Sequence, residues 1–396
     1  MNTEKEISAS SGTENKKIKM LHAAKWYNPV VGGIETVAEA ITGAVNGVFD
    51  MSILVCSEHK DRELGLTMDG TEIYRAKTPG KLFSMPLSYD YIKAFRKMSR
   101  DADIIQLHAP FPLSDFALFL SGGRKRAKKA VWWHSDVVKQ KKLMFFYKPL
   151  MKWMLRKTDK IFVASEAIIA QSKYLGKFRD KIEVIPFGIS IENYERGEKT
   201  PILTEKLNDK NNLKLLFVGR LVSYKGVDVL LDAMARTSGV ELFIIGSGDL
   251  ENELCEQTER LGIKDKIHFL GTVETDDLKS AFSDCDVFIL PSVTRAECFG
   301  LVQLEAMVYG KPVINTSLPT AVPEVSLDKI SGITVTPGDV RELADAINTL
   351  ATDDELRKSY GLAARKRCQE QYNLSVMQET MRRTYREMLG KDKEES

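Results

Sequence analysis

The segment ECFGLVQLEAMVYGKP, at residues 297–312, contains two carboxylates among side chains that are typical of a buried helix. Glu297 precedes the predicted helix, and Glu305 follows within it. In a fully helical segment the two acids would lie about 12 Å apart along the axis and about 80° apart around it, facing one cleft. A ligand or a cation is the expected partner of Glu305, because an unpaired buried acid is costly. The alternatives are a helix-dipole role for Glu297 and an exposed helix face for Glu305.

Two cations follow another predicted strand. Arg220 and Lys225 lie between the run LKLLFVG and the next helix. Loops at the carboxyl ends of parallel strands face the ligand cleft of an α/β sheet, so this pair is suited to neutralising a diphosphate. A lone Lys or Arg is more often a solvated surface residue, but the shared position favours the ligand.

Glycines mark two further strand-to-helix turns. Gly32 and Gly33 follow the first predicted strand, and Gly246 and Gly248 follow the run ELFIIG. Such turns let a phosphate or a nucleotide approach the backbone at a helix N-terminus. An ordinary tight turn explains Gly32 and Gly33 equally well, and an ordinary loop is the favoured interpretation of Gly246 and Gly248 taken alone. The GxGxxG fingerprint does not occur in the sequence, which disfavours a dinucleotide oxidoreductase.

Histidines end two of the predicted strands. His134, in VWWHSD, is placed to donate to a substrate hydroxyl or to act in catalysis, and a structural hydrogen bond is its alternative. His108, in LHAPFPL, has the same kind of position on the other side of the cleft. The histidines carry neither a Ser-His-Asp order nor metal-ligand spacing. The five cysteines lack CxxC spacing, which indicates a reducing compartment and no zinc site.

Positive charge is concentrated in residues 121–160, which hold 13 Lys or Arg and 2 Asp or Glu, whereas the whole chain has a net charge of +2. Within it, residues 139–157 read KQKKLMFFYKPLMKWMLRK, and Pro149 is expected to kink or restart the helix. One helical stripe contains Lys141, Lys148, Lys152 and Arg156. Cations beside bulky apolar residues are typical of a helix lying on anionic lipid. The alternative is a solvated lysine face, and nucleic-acid binding is disfavoured because no such motif accompanies the charge.

Short apolar runs alternate with amphipathic, helix-length segments along most of the chain. Seven predicted strands lie between residues 18 and 186, and five lie between residues 213 and 315. Two successive series of this kind predict two doubly wound α/β domains. The predicted organisation is a disordered tail at 1–17, a first domain at 18–190, a linker at 191–212, a second domain at 213–372 and a helix at 373–390 that packs back on the first domain. We find neither a secretory signal nor a run of about 18 apolar residues, and we expect a cytoplasmic protein that is either soluble or peripheral to the inner face of the membrane.

These features together resemble the retaining glycosyltransferases of family 4, which have the GT-B fold. The most specific match is the spacing of Glu297 and Glu305 within FGLVQLEAMVYGKPVI, supported by VGRLVSYKG at 218–226 and IGSGDLENEL at 245–254. The resemblance runs from about residue 18 to residue 389. Cys298 stands where the family usually has proline, and Ala321 where it usually has glycine, which puts the tightness of the pocket in question.

The resemblance implies two Rossmann-like domains that face each other across a cleft, the first binding the acceptor and the second binding the nucleotide sugar. Arg220 and Lys225 would hold the donor diphosphate, Glu305 the ribose, and Glu297 and His134 the transferred sugar. The implied donor site comprises Gly33, Arg220, Lys225, Gly246, Gly248, Glu297, Phe299, Gly300, Leu301 and Glu305, with Glu297, His134, Arg220 and Lys225 catalytic and His108 on the acceptor side. The resemblance implies neither a metal nor another cofactor.

We therefore expect transfer of a hexose, mannose from GDP-mannose, to a glycan or lipid-linked acceptor in lipopolysaccharide or O-antigen synthesis. UDP-glucose or UDP-galactose is the alternative donor, and a GT-B epimerase or a non-catalytic scaffold is the alternative class of protein. An anionic membrane surface is the expected partner of residues 139–157, and we expect no nucleic acid. We predict that loss of Arg220 or Lys225 leaves a folded, nearly inactive protein.

Overall fold

The computed structural model describes residues 17–30, 33–58, 61–82, 85–123, 125–136 and 141–390. The disordered tail predicted at residues 1–17 therefore lies outside the described residues, apart from its last residue. Gly32 and residues 139–140 of the basic segment also lie outside them.

The strands and helices alternate along the chain. The strands are β1 (Lys19–Ala23), β2 (Asp50–Cys56), β3 (Glu63–Leu66), β4 (Glu72–Ala76), β5 (Gly80–Leu82), β6 (Met85–Leu87), β7 (Ile104–Ala109), β8 (Lys128–Trp133), β9 (Lys160–Val163), β10 (Ile182–Val184), β11 (Leu213–Val218), β12 (Val240–Ile245), β13 (Ile267–Gly271), β14 (Val287–Ile289), β15 (Val313–Thr316) and β16 (Gly332–Val335). The helices are α1 (Gly33–Val45), α2 (Tyr89–Met98), α3 (Pro112–Leu120), α4 (Lys141–Lys157), α5 (Glu166–Gln171), α6 (Ile191–Glu195), α7 (Val227–Met234), α8 (Glu251–Arg260), α9 (Thr275–Asp284), α10 (Val302–Val308), α11 (Val322–Val325), α12 (Val340–Thr352), α13 (Asp354–Gln371) and α14 (Leu374–Met388). Short 3₁₀ helices occupy Leu175–Lys181, Thr204–Lys206, Ser223–Lys225 and Lys264–Lys266.

The first half of the chain forms an eight-stranded sheet in the order β10-β9-β8-β7-β1-β2-β4-β3. Its central strands pair in parallel, and β3 pairs antiparallel with β4 at one edge. All six residues of β7 are buried, as expected of a parallel strand covered by helices on both faces. The strand order reverses between β7 and β1, which creates a crevice at their carboxyl ends. We call this sheet and its helices the N-terminal lobe.

The second half forms a six-stranded parallel sheet in the order β13-β12-β11-β14-β15-β16, which we call, with its helices, the C-terminal lobe. All six residues of β12 are buried. Here the strand order reverses between β11 and β14, so the loops that follow these two strands flank the second crevice. The expected pair of doubly wound α/β units is confirmed.

The chain returns to the N-terminal lobe at its end. Helix α14 packs along α1, and Arg382 Nε donates to the Ala44 carbonyl of α1 at 2.9 Å. The Tyr385 hydroxyl of α14 donates to Gln106 Oε1 on β7 at 2.8 Å. The start of α14 passes close to Gly188, where a Cβ would lie 2.6 Å from Leu374 Cα. Glycine at 188 therefore permits the close crossing of the two connections between the lobes.

The sequence missed four short strands, β3, β5, β6 and β16, each of only three or four residues. Other strands are equally short, such as β10 and β14, but they lie within longer apolar runs, and the four missed segments do not. The basic helix does not restart at Pro149, because α4 continues through it from Lys141 to Lys157. A kink at Pro149 stays a prediction.

Candidate active site

A buried ion pair joins the two loops at the crevice of the C-terminal lobe. Lys225 ends the 3₁₀ turn after β11, and Glu297 lies in the loop after β14. Lys225 Nζ is 2.5 Å from Glu297 Oε2, and each residue is only 9% exposed. The Ser292 hydroxyl donates to the same carboxylate oxygen at 3.0 Å. The pair therefore lies where the strand order reverses, which is the usual ligand position in an open α/β sheet.

Gly226, which the sequence analysis did not single out, makes this pairing possible. It has φ +68°, and a Cβ there would lie 2.2 Å from the Pro291 carbonyl oxygen. A side chain would thus push the loop after β11 away from the end of β14. The available signal was its position directly after Lys225, where a short turn must end before α7 begins.

The two cations predicted to act as a pair have different environments. Lys225 is buried against Glu297, whereas Arg220 is exposed in the loop directly after β11. The charge of Lys225 is already paired, so Arg220 is the more accessible cation for an incoming anion. The sequence placed both residues on the correct loop but did not reveal this division.

The close packing of two backbone loops requires glycine at positions 246 and 248. A Cβ at Gly246, where φ is +129°, would lie 2.1 Å from the Gly219 carbonyl oxygen. A Cβ at Gly248 would lie 2.4 Å from the Leu221 carbonyl oxygen. The loop after β12 therefore packs directly on the loop that carries Arg220. This packing accounts for both glycines without a nucleotide.

The helical relation predicted between Glu297 and Glu305 is wrong. Helix α10 begins at Val302, and Gly300 adopts φ +72°, so Glu297 lies in a non-helical loop. A Cβ at Gly300 would lie 2.5 Å from Leu290 Cδ2, which shows that glycine lets this loop pass over β14. The separation of the two acids is thus set by a turn rather than by helix geometry.

Glu305 has a partner that the sequence did not indicate. The Tyr194 hydroxyl, on α6 between the two lobes, donates to Glu305 Oε1 at 2.9 Å. Burial raises the pKa of Glu305 from its ordinary value of 4.5 to about 7, and the tyrosine hydrogen bond opposes this rise. A carboxylate with one uncharged donor retains capacity to accept hydrogen bonds from a ligand's hydroxyl groups.

Phe299 is a core residue. It is buried, and its ring meets the Phe187 ring edge-to-face at a centroid distance of 4.8 Å. The ring therefore packs against a residue of the N-terminal lobe, and the donor-site role expected of Phe299 stays a prediction. Leu301 is partly buried and packs against the same core cluster as it precedes α10.

Cys298 and Ala321, the two residues that depart from the family pattern, contact each other. The Ala321 backbone N–H donates to the Cys298 carbonyl at 2.9 Å. Ala321 is fully buried with φ −71°, an ordinary helical value that alanine adopts without strain. The alanine therefore fits the backbone found here.

Three histidines form a row across the N-terminal lobe. His22 on β1, His108 on β7 and His134 just after β8 lie at the carboxyl ends of neighbouring strands. His22 Nε2 is 2.8 Å from His108 Nε2, and His108 Nδ1 is 2.8 Å from His134 Nε2. Burial lowers the pKa of His22 and of His134 to about 3, and that of His108 well below its ordinary value. All three rings are therefore neutral at physiological pH.

This row corrects the expectation for His108. His108 was expected on the acceptor side, but it is 2% exposed and its ring lies between two other histidines. It therefore reaches a ligand only through His134. His22 lies near the end of the first strand, but the sequence did not indicate its partner, because that depends on which strands become neighbours.

A cavity of about 480 Å³ opens between the lobes beside His134. It is lined by residues of both lobes: His134, Ser135, Asp136, Met144, Phe145, Lys148, Ile168, Gln171, Ser172, Lys173, Tyr174, Arg295, Cys298 and Thr320. Asp136 accepts hydrogen bonds from the Ser172 hydroxyl and from the backbone N–H of Lys173. The cavity thus combines cations with apolar side chains.

Helix α1 begins at Gly33, so the predicted helix N-terminus after β1 is present. Among the described residues, no three His, Cys, Asp or Glu side chains are grouped so as to hold a metal ion. The five cysteines are free thiols. Metal independence stays a prediction.

The basic helix α4 presents both charge and aromatic rings to solvent. Lys148, Lys152 and Arg156 are exposed, and the side chains of Phe145 and Phe146 are 77% and 78% exposed. The neighbouring α3 adds Phe116, Phe119 and Leu120, which are more than 40% exposed. No helix in the described ranges has both the length and the apolar character that a membrane crossing requires.

The two lobes and the cleft between them are those of the GT-B fold. HepE from Anabaena, solved in complex with UDP, has a TM-score of 0.76 at 20% identity and aligns over 93% of this chain and 100% of its own. Sucrose-phosphate synthase from Thermosynechococcus elongatus has a TM-score of 0.77 at 18% identity and aligns over 94% of this chain and 100% of its own. At these identities the likeness establishes the fold.

The sequence comparisons establish the family. Residues 31–193 match the model described as Glycosyltransferase Family 4, and residues 199–367 match that described as Glycosyl transferases group 1. O-antigen chain mannosyltransferase C from Escherichia coli is 33% identical over 91% of this chain and 96% of its own length. D-rhamnosyltransferase WbpZ from Pseudomonas aeruginosa is 30% identical over 88% of this chain and 91% of its own. The chain belongs to the group 1 glycosyltransferases of family 4, which confirms the resemblance and the enzyme class.

Proposed function

We propose that the protein is a retaining hexosyltransferase that moves a sugar from a nucleotide sugar to a glycan or lipid-linked acceptor in bacterial cell-surface polysaccharide synthesis. The observation that carries the proposal is the meeting of Lys225 and Glu297 at the crevice of the C-terminal lobe. Arg220 is exposed on one of the loops that form this crevice, and the cavity between the lobes runs from Arg295 to His134. The cavity is thus lined from both lobes, with His134 on the first and Arg295 on the second.

In this proposal Arg220 and Lys225 receive the donor diphosphate, and Gly33 offers the amino end of α1 to a phosphate oxygen. Lys225 is fixed by Glu297, so its charge is oriented before the donor arrives. Such preorganised charge stabilises a leaving group without reorganisation during the reaction. Glu305 accepts hydrogen bonds from the ribose, while Glu297 and His134 contact the transferred sugar.

Transfer with retention needs no nucleophilic carboxylate in this scheme. The bond between the anomeric carbon and the diphosphate oxygen breaks while the acceptor hydroxyl attacks from the same face. A phosphate oxygen of the departing diphosphate takes the hydroxyl proton. The protein's part is to stabilise the charge that develops on the diphosphate, and loss of one such contact is expected to lower kcat by about 10²–10³.

Mannose from GDP-mannose is the proposed donor. The support is the similarity to an O-antigen chain mannosyltransferase over nearly the whole chain. UDP-glucose and UDP-galactose are the alternatives, and the GT-B neighbour HepE has been solved in complex with UDP-glucose. The proposed acceptor site is the cavity beside His134, because Lys148, Lys173 and Arg295 suit a phosphate while Met144 and Phe145 suit a lipid chain.

The donor is tested by thermal unfolding of the purified protein with GDP-, UDP- and ADP-sugars. A ligand at 100 times its Kd adds about 2.7 kcal/mol to the free energy of unfolding, which is a measurable rise in Tm. The active nucleotide sugar is then incubated with acceptor glycans, and the anomeric configuration of the product is read by NMR. Inversion would refute the retaining mechanism. Stabilisation by donors without any transfer would favour the scaffold alternative, and release of an altered nucleotide sugar without acceptor would favour an epimerase.

We also propose that the exposed face of α4, together with α3, rests on anionic lipid. The support is the juxtaposition of Lys148 and Lys152 with the exposed rings of Phe145 and Phe146. The test is co-sedimentation with phosphatidylglycerol vesicles of wild-type protein and of Lys148→Glu/Lys152→Glu. The matched control is Lys366→Glu, since Lys366 lies on α13 with its side chain 75% exposed. Release of the double variant alone supports docking, and equal binding of all three proteins contradicts it.

A further inference from the structure

The two hydrogen bonds within the row of three histidines can run in either direction along it. Neutral imidazole has one N–H donor and one acceptor nitrogen, so each N···N contact in the row has one donor and one acceptor. Only two arrangements satisfy both contacts with neutral rings. In the first, His22 Nε2–H donates to His108, and His108 Nδ1–H donates to His134. In the second, both hydrogen bonds run from His134 towards His22.

The buried end of the row distinguishes the two arrangements. His22 Nδ1 is buried and has no hydrogen-bond partner among the residues that the structure describes. In the first arrangement this nitrogen is an acceptor without a donor, whereas in the second it is an N–H without an acceptor. Among buried backbone groups an N–H without an acceptor is rarer than an under-satisfied acceptor, and we apply the same order to the imidazole ring. The first arrangement is therefore favoured, and the hydrogen bonds run outward from His22.

We propose that His22 and His108 are positioning residues that hold His134 in the Nδ1–H tautomer, so that it meets its ligand as a neutral hydrogen-bond donor. In this state His134 Nε2 is occupied by the His108 N–H, and Nδ1 carries the proton. His134 lines the cavity between the lobes, where the sugar and the acceptor are proposed to meet. The role towards the sugar rests on the proposed function, but the tautomer does not.

In this arrangement His134 cannot act as a general base. A ring held as the Nδ1–H tautomer offers the ligand a donor, and its one lone pair is already used within the row. It therefore stabilises an oxygen of the sugar or of the acceptor and takes no proton from the attacking hydroxyl. The retaining scheme assigns that proton to the departing diphosphate, which is consistent with such a donor.

The tautomers are read directly by long-range ¹H–¹⁵N NMR of the ¹⁵N-histidine-labelled protein, which has only five histidines. His268 is the internal control, because its Nε2 lies 2.6 Å from Glu241 Oε2 and must carry a proton. We expect His22 to be protonated at Nε2, and His108 and His134 at Nδ1. A proton on Nε2 of His134, or a mixture of its tautomers, would overturn the proposal whether or not the protein transfers sugar.

A matched pair of variants tests the positioning role. The amide of Asn in His108→Asn can replace the Nδ1–H donor, whereas His108→Leu cannot donate. We expect His108→Asn to keep His134 in the Nδ1–H form, and His108→Leu to lose that uniformity with a fall in kcat of about fivefold, the equivalent of one hydrogen bond. Equal kcat values and equal His134 spectra in the two variants would overturn the role of His108. If no sugar nucleotide supports transfer, the proposed function fails while the tautomer measurement still decides the direction of the row.

Discussion

Replacement of Lys225 by methionine is expected to weaken the fold as well as the activity. The ammonium and the Glu297 carboxylate are 2.5 Å apart, and both side chains are only 11% exposed. Methionine has a similar length but no charge, so it leaves Glu297 buried with the Ser292 hydroxyl as its remaining donor. An uncompensated buried charge is the reason that removing one partner of a buried ion pair is destabilising.

The expected loss is about 3 kcal/mol, at the lower end of the range for buried pairs, because Ser292 still solvates the carboxylate. For a cooperative unit of about 150–250 residues each kcal/mol lowers Tm by about 2–4 °C, so Tm should fall by about 6–12 °C. Arg220→Ala is the control, since Arg220 follows the same strand but is exposed. It should lose no more than about 0.5 kcal/mol. The sequence-based prediction was that loss of either residue leaves a folded, nearly inactive protein, and the structure adds that the loss of Lys225 should cost more stability than the loss of Arg220.

The assay is chemical unfolding followed by circular dichroism. Tryptophan fluorescence is unsuitable, because all four tryptophans, Trp26, Trp132, Trp133 and Trp153, lie in the N-terminal lobe. The free energy of unfolding is measured for Lys225→Met, Glu297→Gln and the double variant. The double variant should be more stable than Lys225→Met, since the amide removes the unpaired charge.

Two results would refute this reasoning. The first is a Lys225→Met protein as stable as Arg220→Ala, which would mean that the ion pair does not hold the two loops. The second is strict additivity of the two single losses in the double variant, because residues that interact directly should show a coupling free energy of about 0.5–3 kcal/mol.

The remaining predictions concern Glu305, Gly246 and metal. Because burial raises the pKa of Glu305 to about 7, its contribution to stability is present below pH 4.5 and is lost as the pH rises to about 7. Glu305→Gln should remove up to about 3 kcal/mol of this dependence between pH 5 and 8 in urea unfolding, and identical profiles would contradict it. Gly246→Ala should lower the free energy of unfolding by about 3 kcal/mol or more, since its methyl would lie 2.1 Å from a carbonyl oxygen. The control Gly262→Ala, at φ +66° in open space, should lower it by about 1–2 kcal/mol. Equal losses on thermal unfolding would refute the argument. EDTA should leave the transfer rate unchanged, and inactivation that added metal reverses would establish a metal requirement.

The local pattern of the sequence determined most of the architecture. Continuous apolar runs and amphipathic segments differ in their periodicity, so all twelve predicted strands formed and the doubly wound organisation followed from their alternation. The same pattern identified residues at the carboxyl ends of strands, among them Arg220, Lys225 and His134. Those positions depend only on where each strand ends.

The tertiary structure decided which of these residues meet. Lys225 and Glu297 are 72 residues apart in the chain, and Tyr194 and Glu305 are 111 apart. These contacts depend on strand order and on how the chain passes between the lobes. The local periodicity of apolar residues predicts neither. The same reason explains His22, whose only sequence signal was its place at the end of the first strand. The sequence by itself thus supplied the chemical groups and the ends of the strands on which they lie, and the packing of distant strands determined their partners and their burial.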